Sequence, residues 1–527
     1  MHLPRLVVAG AHSGAGKTTF SLALMAALTR RGLQVQPYKV GPDYIDPAFH
    51  QAATGRVSRN LDSWLLPPET LLRLFYRQAP AADGLSVIEG VMGLFDGQGT
   101  GSTGSTAHVA SLLEAPVVLL LNGEGMSLSA AALVSGYAGF RPHPDLARAR
   151  VAAVLINRVS GPAHYAILRQ CIEEFTGIPC LGWMPKNAFP PLPSRHLGLI
   201  PAGETAGLAE YLDVLAAAAE KTLDIPALAK LAHSAPPLAA RKEEPRLLHS
   251  TPCPGFSSVS HVPSVPPSPI CRPGPPARRI RIGIARDEAF SFYYQDNLDL
   301  LEELGARLVP FSPLRDRHLP DSLDGMYLGG GFPEVFAPEL EANLELRLRL
   351  AEALESGLPA YAECGGMLYL CSTLAVPARD EGACASRAVP ERDGGACASR
   401  AVPERDGAHI PERHAMVGFF PEQAEMTTRL QPFGYITVTL RRDTLLGPAG
   451  TQFRAHEFHY SRLLAPEPAA PPVFEAEKPD GRVWAGGLCK KNVLAMFPHL
   501  HFYSCPQAAA NFVEKCGQYR NQKDGGA

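Results

Sequence analysis

No stretch of this 527-residue chain approaches the roughly 20 uninterrupted apolar residues that a membrane helix needs. Nor does it open with the charged, apolar and small-residue regions of a secretory leader, since Met1-His2-Leu3-Pro4-Arg5 runs straight into an apolar strand. Neither charge sign dominates: 49 Lys+Arg stand against 52 Asp+Glu, for a net charge of -3. That balance argues against a dedicated nucleic-acid face or a polybasic membrane patch. The eleven cysteines form no CxxC pair and no regular framework. An odd number without a leader points to reduced thiols in the cytoplasm. What is present is ordinary globular composition, 46% apolar and 19% charged. A chain of this length is too long for one core, so two or three domains are expected.

One stretch organises the rest: Leu358-Pro359-Ala360-Tyr361-Ala362-Glu363-Cys364-Gly365-Gly366-Met367. An apolar run ends in a cysteine, and two glycines precede a helical pattern. The spacing predicts a sharp strand-to-helix turn with the Cys364 thiol at its apex, the glycines permitting a tight bend and a close neighbour. A thiol held at a helix start is a candidate nucleophile. A buried structural cysteine is the alternative.

Near the start, Leu6-Val7-Val8-Ala9-Gly10 reads as a buried strand, followed by Ala11-His12-Ser13-Gly14-Ala15-Gly16-Lys17-Thr18-Thr19 and a helical run. Strand, glycine-rich loop with Gly-Lys-Thr, then helix is the context of a phosphate-binding loop. Backbone N–H groups cradle phosphates, Lys17 reaches the outer ones, and the Thr18 hydroxyl is placed to ligate Mg²⁺. The strict pattern wants glycine where Ala11 stands.

Lys39-Val40-Gly41-Pro42-Asp43-Tyr44-Ile45-Asp46-Pro47 sets two carboxylates three residues apart between prolines. Asp43 and Asp46 are turn formers, or hold Mg²⁺ or substrate near the γ-phosphate. Ser86-Val87-Ile88-Glu89-Gly90-Val91-Met92-Gly93 is a second buried strand ending in an acid, where a metal or substrate ligand sits in such sheets. Apolar strands at 116–122 and 151–158, alternating with helices, predict a doubly wound, mostly parallel sheet. Asn157 and Arg158 end the last of these and are placed either to meet a nucleotide base or to cap the strand. Arg195 and His196 form a basic pair in a loop, of interest only for an anionic substrate.

The composition assigns 1–231 to the P-loop domain, 232–277 to a Pro/Ser-rich linker and 278–520 to a second α/β domain carrying Cys364. Within the last, Gly-Ala-Cys-Ala-Ser-Arg-Ala-Val-Pro-Glu-Arg-Asp-Gly occurs twice in tandem over 382–407, and reads as a duplicated surface loop. Beyond it, 434–440 alternates as a strand. His456, His459, His499 and His501 then close apolar runs, and histidine is the usual base for a catalytic thiol.

Together, Lys-x-Gly-Pro-Asp-Tyr-Ile-Asp-Pro, Glu-Gly-Val-Met-Gly, Leu-Gly-Gly-Gly-Phe-Pro-Glu, the thiol elbow and Glu-Phe-His-Tyr-Ser resemble the cobyrinate a,c-diamide synthase family over nearly the whole chain. The resemblance implies a dethiobiotin-synthetase-like ATP domain joined to a class I glutamine amidotransferase domain. It implies ATP- and glutamine-dependent amidation of a corrinoid, with Mg²⁺ and ATP at Gly14, Gly16, Lys17, Thr18 and Thr19. Thr18, Asp43 and Glu89 would hold the metal, and Asp46 would lie beside the reacting carboxylate. It assigns Cys364 as nucleophile and His499 as base, with an oxyanion hole around Gly330, Gly331 and Gly365. In many class I amidotransferases a glutamate stands two residues after this histidine; here that place holds His501, leaving the third member unassigned. An anionic substrate gives Arg195 and His196 a binding role.

Hydrogenobyrinate and nickel sirohydrochlorin are alternative substrates for the same chemistry. A P-loop ATPase switch is the alternative of a different class, but it has no use for a thiol elbow. Small-molecule partners are expected, with neither nucleic acid nor membrane, and a homodimer is compatible with the sequence.

Overall fold

The computed structural model describes residues 2–81, 83–186, 189, 194–195, 198–238, 279–377, 411–466 and 470–525. Most of the expected linker and the whole duplicated segment 382–407 lie outside these. The chain divides into two compact units, 1–244 and 245–527.

The first unit alternates strand and helix: β1 (Arg5–Gly10), α1 (Lys17–Arg30), β2 (Gln34–Val40), α2 (Asp46–Thr54), β3 (Arg59–Leu61), α3 (Pro68–Gln78), β4 (Gly84–Gly93), α4 (Thr106–Leu112), β5 (Pro116–Asn122), α5 (Ser129–Gly139), β6 (Arg150–Val159), α6 (Pro162–Thr176) and β7 (Cys180–Pro185). A two-residue pair follows, β8 (Ser194–Arg195) with β9 (Gly198–Leu199), then α7 (Leu208–Thr222) and α8 (Ile225–His233). Seven strands form one parallel sheet in the order β3-β2-β4-β1-β5-β6-β7. Its centre is continuously apolar because helices cover both faces of such a sheet. β1 is buried at every position. On α1, Phe20, Leu24 and Leu28 are sealed into the core, each contributing about 1.5–3 kcal/mol by leaving water. The register sets Glu89 of β4 beside both Val8 of β1 and Lys39 of β2. Three strand ends thus converge where the glycine loop begins.

Arg5 is fully buried, and among the described residues its guanidinium makes no ion pair with a carboxylate. Its guanidinium donates to the carbonyls of Leu113 (2.5 Å), Leu3 (2.8 Å), Glu114 (3.5 Å) and Pro236 (2.8 Å). Burial lowers its pKa to about 10. The His2 ring reaches the His233 carbonyl at 2.8 Å.

The second unit opens with β10 (Ile280–Ala285), α9 (Gln295–Glu303), β11 (Ala306–Phe311), β12 (Gly325–Leu328), α10 (Ala337–Ala342), α11 (Leu344–Glu355), β13 (Ala360–Glu363) and α12 (Gly365–Leu370). It continues as β14 (Thr373–Val376), β15 (Glu412–Ala415), β16 (Gln423–Met426), β17 (Gly434–Leu440), β18 (Gln452–Glu457), β19 (Ser461–Leu464), β20 (Phe474–Glu477), β21 (Val483–Gly486), β22 (Leu488–Lys490), β23 (Val493–Met496) and β24 (His499–Leu500), closed by α13 (Pro506–Gly525). The main sheet runs β11-β10-β12-β13-β23-β22, parallel except for β22. Two further sheets, β15-β14-β16-β19 and β21-β20-β17-β18-β24, exceed the single strand that the sequence reading foresaw at 434–440. Their other strands run two to six residues, too short for a period of two to stand out. Among the described residues no helix is long and apolar enough to cross a membrane.

Candidate functional site

In the first unit, the loop after β1 turns through left-handed Gly14 and Gly16 before α1 begins at Lys17, with Thr18 and Thr19 in its first turn. A Cβ at Gly16 would lie 2.4 Å from the Asn157 amide, which donates to the Ala15 carbonyl at 3.0 Å. Asn157 therefore braces the loop. Lys17 folds onto the same loop, donating to the Met92 carbonyl (2.5 Å) and lying 3.4 Å from that of His12. Burial, then the neighbouring charge of Lys39, lowers its pKa to about 8.

Behind it lies a buried charged network. Thr18 Oγ1 donates to Glu89 Oε1 at 2.8 Å and stands 3.4 Å from Asp46 Oδ2. Lys39 Nζ bridges Asp46 (2.5 Å) and Glu89 (2.8 Å), with Asp43 at 3.7 Å. His50 Nε2 meets the other Glu89 oxygen at 2.7 Å, while its Nδ1 faces the Ser58 hydroxyl at 3.1 Å. Burial opposes ionisation of Glu89, yet Lys39 and His50 hold its carboxyl well below the usual range. Burial and the charge of Asp43 push Asp46 upward. One Asp43 oxygen accepts the backbone N–H groups of Ile45 and Asp46, so Asp43 shapes the turn while Asp46 faces Thr18. The sequence reading gave Lys39 and His50 no role. A lysine inside an otherwise buried strand was the available signal, because such a charge must be paired. Arg195 lies on β8, its side chain outside the described residues, as is all of His196.

In the second unit, Cys364 joins β13 to α12 with φ 46° and ψ −104°, a conformation that side-chain-bearing residues rarely adopt. Such strain persists only where the surroundings over-determine it. Here the Cys364 N–H is tied to the Met496 carbonyl at 2.8 Å. A Cβ on Gly366 would strike the Leu328 carbonyl oxygen at 2.3 Å, and one on Gly365 would lie 3.0 Å from Gly331 N. The elbow can close only with glycine at these places.

His499, on β24, is buried, with Nδ1 3.4 Å from Glu363 Oε2 and Cys364 as its other polar partner. Burial alone would lower its pKa, but those two partners outweigh it and raise the ring to about 10. The ring lies over Gly330, where a Cβ would come within 2.6 Å of Cε1. Gly330, Gly331, Gly365, Cys364 and His499 are thus gathered at one point. His459 is not part of it. Its nitrogens face the Ser461 carbonyl and Glu457, each at 2.8 Å, and its ring stacks on Phe497 at 3.7 Å.

His501 is buried beside the Tyr294 ring, and among the described residues neither of its nitrogens has a hydrogen-bond partner. Burial lowers its pKa to about 3, against about 6.5 in an unfolded chain. Between those values the unfolded chain binds the extra proton, so this stability is full above about pH 6.5 and is lost as pH falls towards 3. His501→Leu is expected to remove that slope, about 1.4 kcal/mol per pH unit. In denaturant titrations the variant should therefore lose about 2 kcal/mol less than the parent between pH 7 and pH 5. An unchanged pH dependence would show that the neutral ring carries no such penalty.

Residues 6–200 match the family described as the CobQ/CobB/MinD/ParA nucleotide binding domain, and residues 281–394 match the CobB/CobQ-like glutamine amidotransferase domain. The cobyrinate a,c-diamide synthase of Listeria monocytogenes serotype 4b is 40% identical over 504 residues, covering 95% of this chain and 96% of its own. That of Caldanaerobacter subterraneus subsp. tengcongensis is 37% identical over 514 residues, covering 97% and 98%. The hydrogenobyrinate a,c-diamide synthase of Streptomyces coelicolor is 40% identical over 525 residues, covering 98% of each chain. A parallel-sheet nucleotide-binding unit and a thiol-elbow amidotransferase unit in one chain define an ATP-using, glutamine-dependent synthase. The chain belongs to the a,c-diamide synthase family of cobyrinate and hydrogenobyrinate.

Proposed function

We propose that this enzyme converts the a and c acetate carboxylates of cobyrinate to amides, using ATP to activate each carboxylate and glutamine as the nitrogen source, in the cytoplasm. The observation that carries the reading is the convergence of Cys364, at a strained elbow, with the buried His499 beside Gly330, in a chain that also holds a phosphate loop. A carboxylate resists attack by ammonia, so the γ-phosphoryl group is first transferred to it and then leaves as phosphate. Lys17 and the backbone of residues 14–18 are placed to hold the nucleotide phosphates. Thr18, Asp46 and Glu89 offer an all-oxygen donor set, which fits Mg²⁺. When bound there, the ion would neutralise phosphate charge.

In the other unit the Cys364 sulfur attacks the glutamine amide carbon. His499 takes the thiol proton and gives it to the departing ammonia, and water then hydrolyses the thioester to glutamate. Backbone N–H groups near Gly331 and Gly365 would receive the oxyanion. Hydrogenobyrinate is the second reading, because the Streptomyces coelicolor relative is as similar as the Listeria one.

Mass spectrometry of cobyrinate and of hydrogenobyrinate, each incubated with the protein, Mg-ATP and glutamine, tests both. Two amide substitutions on cobyrinate are expected. Amidation of hydrogenobyrinate alone would move the substrate, and an unchanged mass in both would overturn the assignment.

A further inference from the structure

We propose that Glu363, the residue immediately before the nucleophile, is the positioning carboxylate of the thiol site, completing a Cys364–His499–Glu363 triad. The inference rests on the glutaminase reading of Cys364 and names a member that the reading lacked.

In a regular strand, neighbouring side chains point to opposite faces. The positive φ at Cys364 breaks that alternation just after β13 ends, so residues 363 and 364 both reach one ring. Glu363 is 1% exposed, and its Oε2 lies 3.4 Å from His499 Nδ1. Such contacts are often long in a ligand-free site and shorten when substrate binds. Oε1 is fixed by two donors, the Tyr361 hydroxyl at 2.8 Å and the Leu500 N–H at 3.2 Å. From the other side, Asn297 donates to the Leu500 carbonyl and accepts the Phe502 N–H, each at 2.7 Å. The segment carrying the base is clamped between a carboxylate and an amide.

With Nδ1–H held towards Glu363, Nε2 is the nitrogen left to face the thiol, and the carboxylate stabilises the imidazolium formed when the proton moves. The raised pKa of His499 has this partner as one of its causes. His501 cannot serve instead. It stands where the resemblance places an acid, but it is a ring among aromatic neighbours whose nitrogens have no polar contact among the described residues. An ionised carboxylate there would be buried without a partner.

The test is the pH dependence of Cys364 alkylation by iodoacetamide, followed by mass spectrometry on the intact protein, alongside glutamine hydrolysis. Glu363→Gln keeps the shape and an oxygen for Leu500 and Tyr361, but withdraws the charge. The alkylation midpoint should rise by about one pH unit or more. The kcat for glutamine should fall about 10²–10⁴-fold with KM little changed. Tyr361→Phe relieves the carboxylate of a donor and makes it more basic, so the midpoint should move the opposite way. A midpoint unmoved in both variants would overturn the proposal, whatever happens to kcat. Should the parent protein hydrolyse no glutamine, the glutaminase reading fails, while the alkylation profiles still decide whether Glu363 acts on the Cys364–His499 pair.

Discussion

Cys364→Ala is expected to lose glutamine-dependent amidation by at least about 10³-fold while retaining amidation driven by free ammonium. The sulfur is the only group at the elbow that can form the thioester, and alanine leaves the backbone turn its Cβ and its N–H bond to Met496. Relief of the thiol should not disturb the unit, because glycines at 365 and 366 set the close approach. Ammonium supplied from solution bypasses the thiol. The comparison is read as initial rates of diamide formation with each nitrogen source. If both rates collapse together, the thiol is doing something other than releasing ammonia. If neither changes, the nucleophile lies elsewhere.

The second large effect belongs to Lys39→Met. Lys39 bridges Asp46 and Glu89, with Glu89 fully buried and Asp46 nearly so. Removing the ammonium leaves two carboxylates facing each other away from water. Breaking one partner out of such a buried cluster costs about 3–5 kcal/mol. The unfolding transition of the first unit should fall accordingly at neutral pH, and ATP-dependent activity should fall with it. Adding Glu89→Gln to the same chain removes one orphaned charge and should restore part of the lost stability, although not the activity. A single variant within about 1 kcal/mol of the parent would mean that the charges relax into solvent and that the network is not a structural unit.

The two reaction centres were unequally legible in the sequence. The phosphate loop and the elbow are local: glycine, lysine, threonine and cysteine within a few residues of a strand end set their geometry, and the structure gathers those residues as the motifs suggest. The partners that complete them come from register. Lys39 meets Glu89 because β2 and β4 pair in step, and His50 arrives from a helix that follows a turn. No linear spacing encodes either contact. Glu363 was overlooked for a different reason. The resemblance points to an acid two places beyond the base, whereas in a regular strand residues 363 and 364 would face apart. The positive φ at Cys364 breaks that alternation, and only the backbone reveals it. Asn157 is a further case, since its bond to the Ala15 carbonyl of the phosphate loop comes from a distant strand.

Arg5 and His2 carry a consequence for how this protein can be taken apart. Arg5 holds the Pro236 carbonyl, and His2 holds that of His233. The first strand and the last described turns of the first unit are therefore joined by single side chains, so the path of the chain through this unit begins and ends at one place. A segment whose entry and exit coincide can be cut free, or reopened at a surface loop after its ends are spliced, without parting any pair of strands. Residues 1–238 should then tolerate separate expression and circular permutation. The guanidinium, bound among the described residues to carbonyl oxygens, would serve as a latch equally well in either chain order.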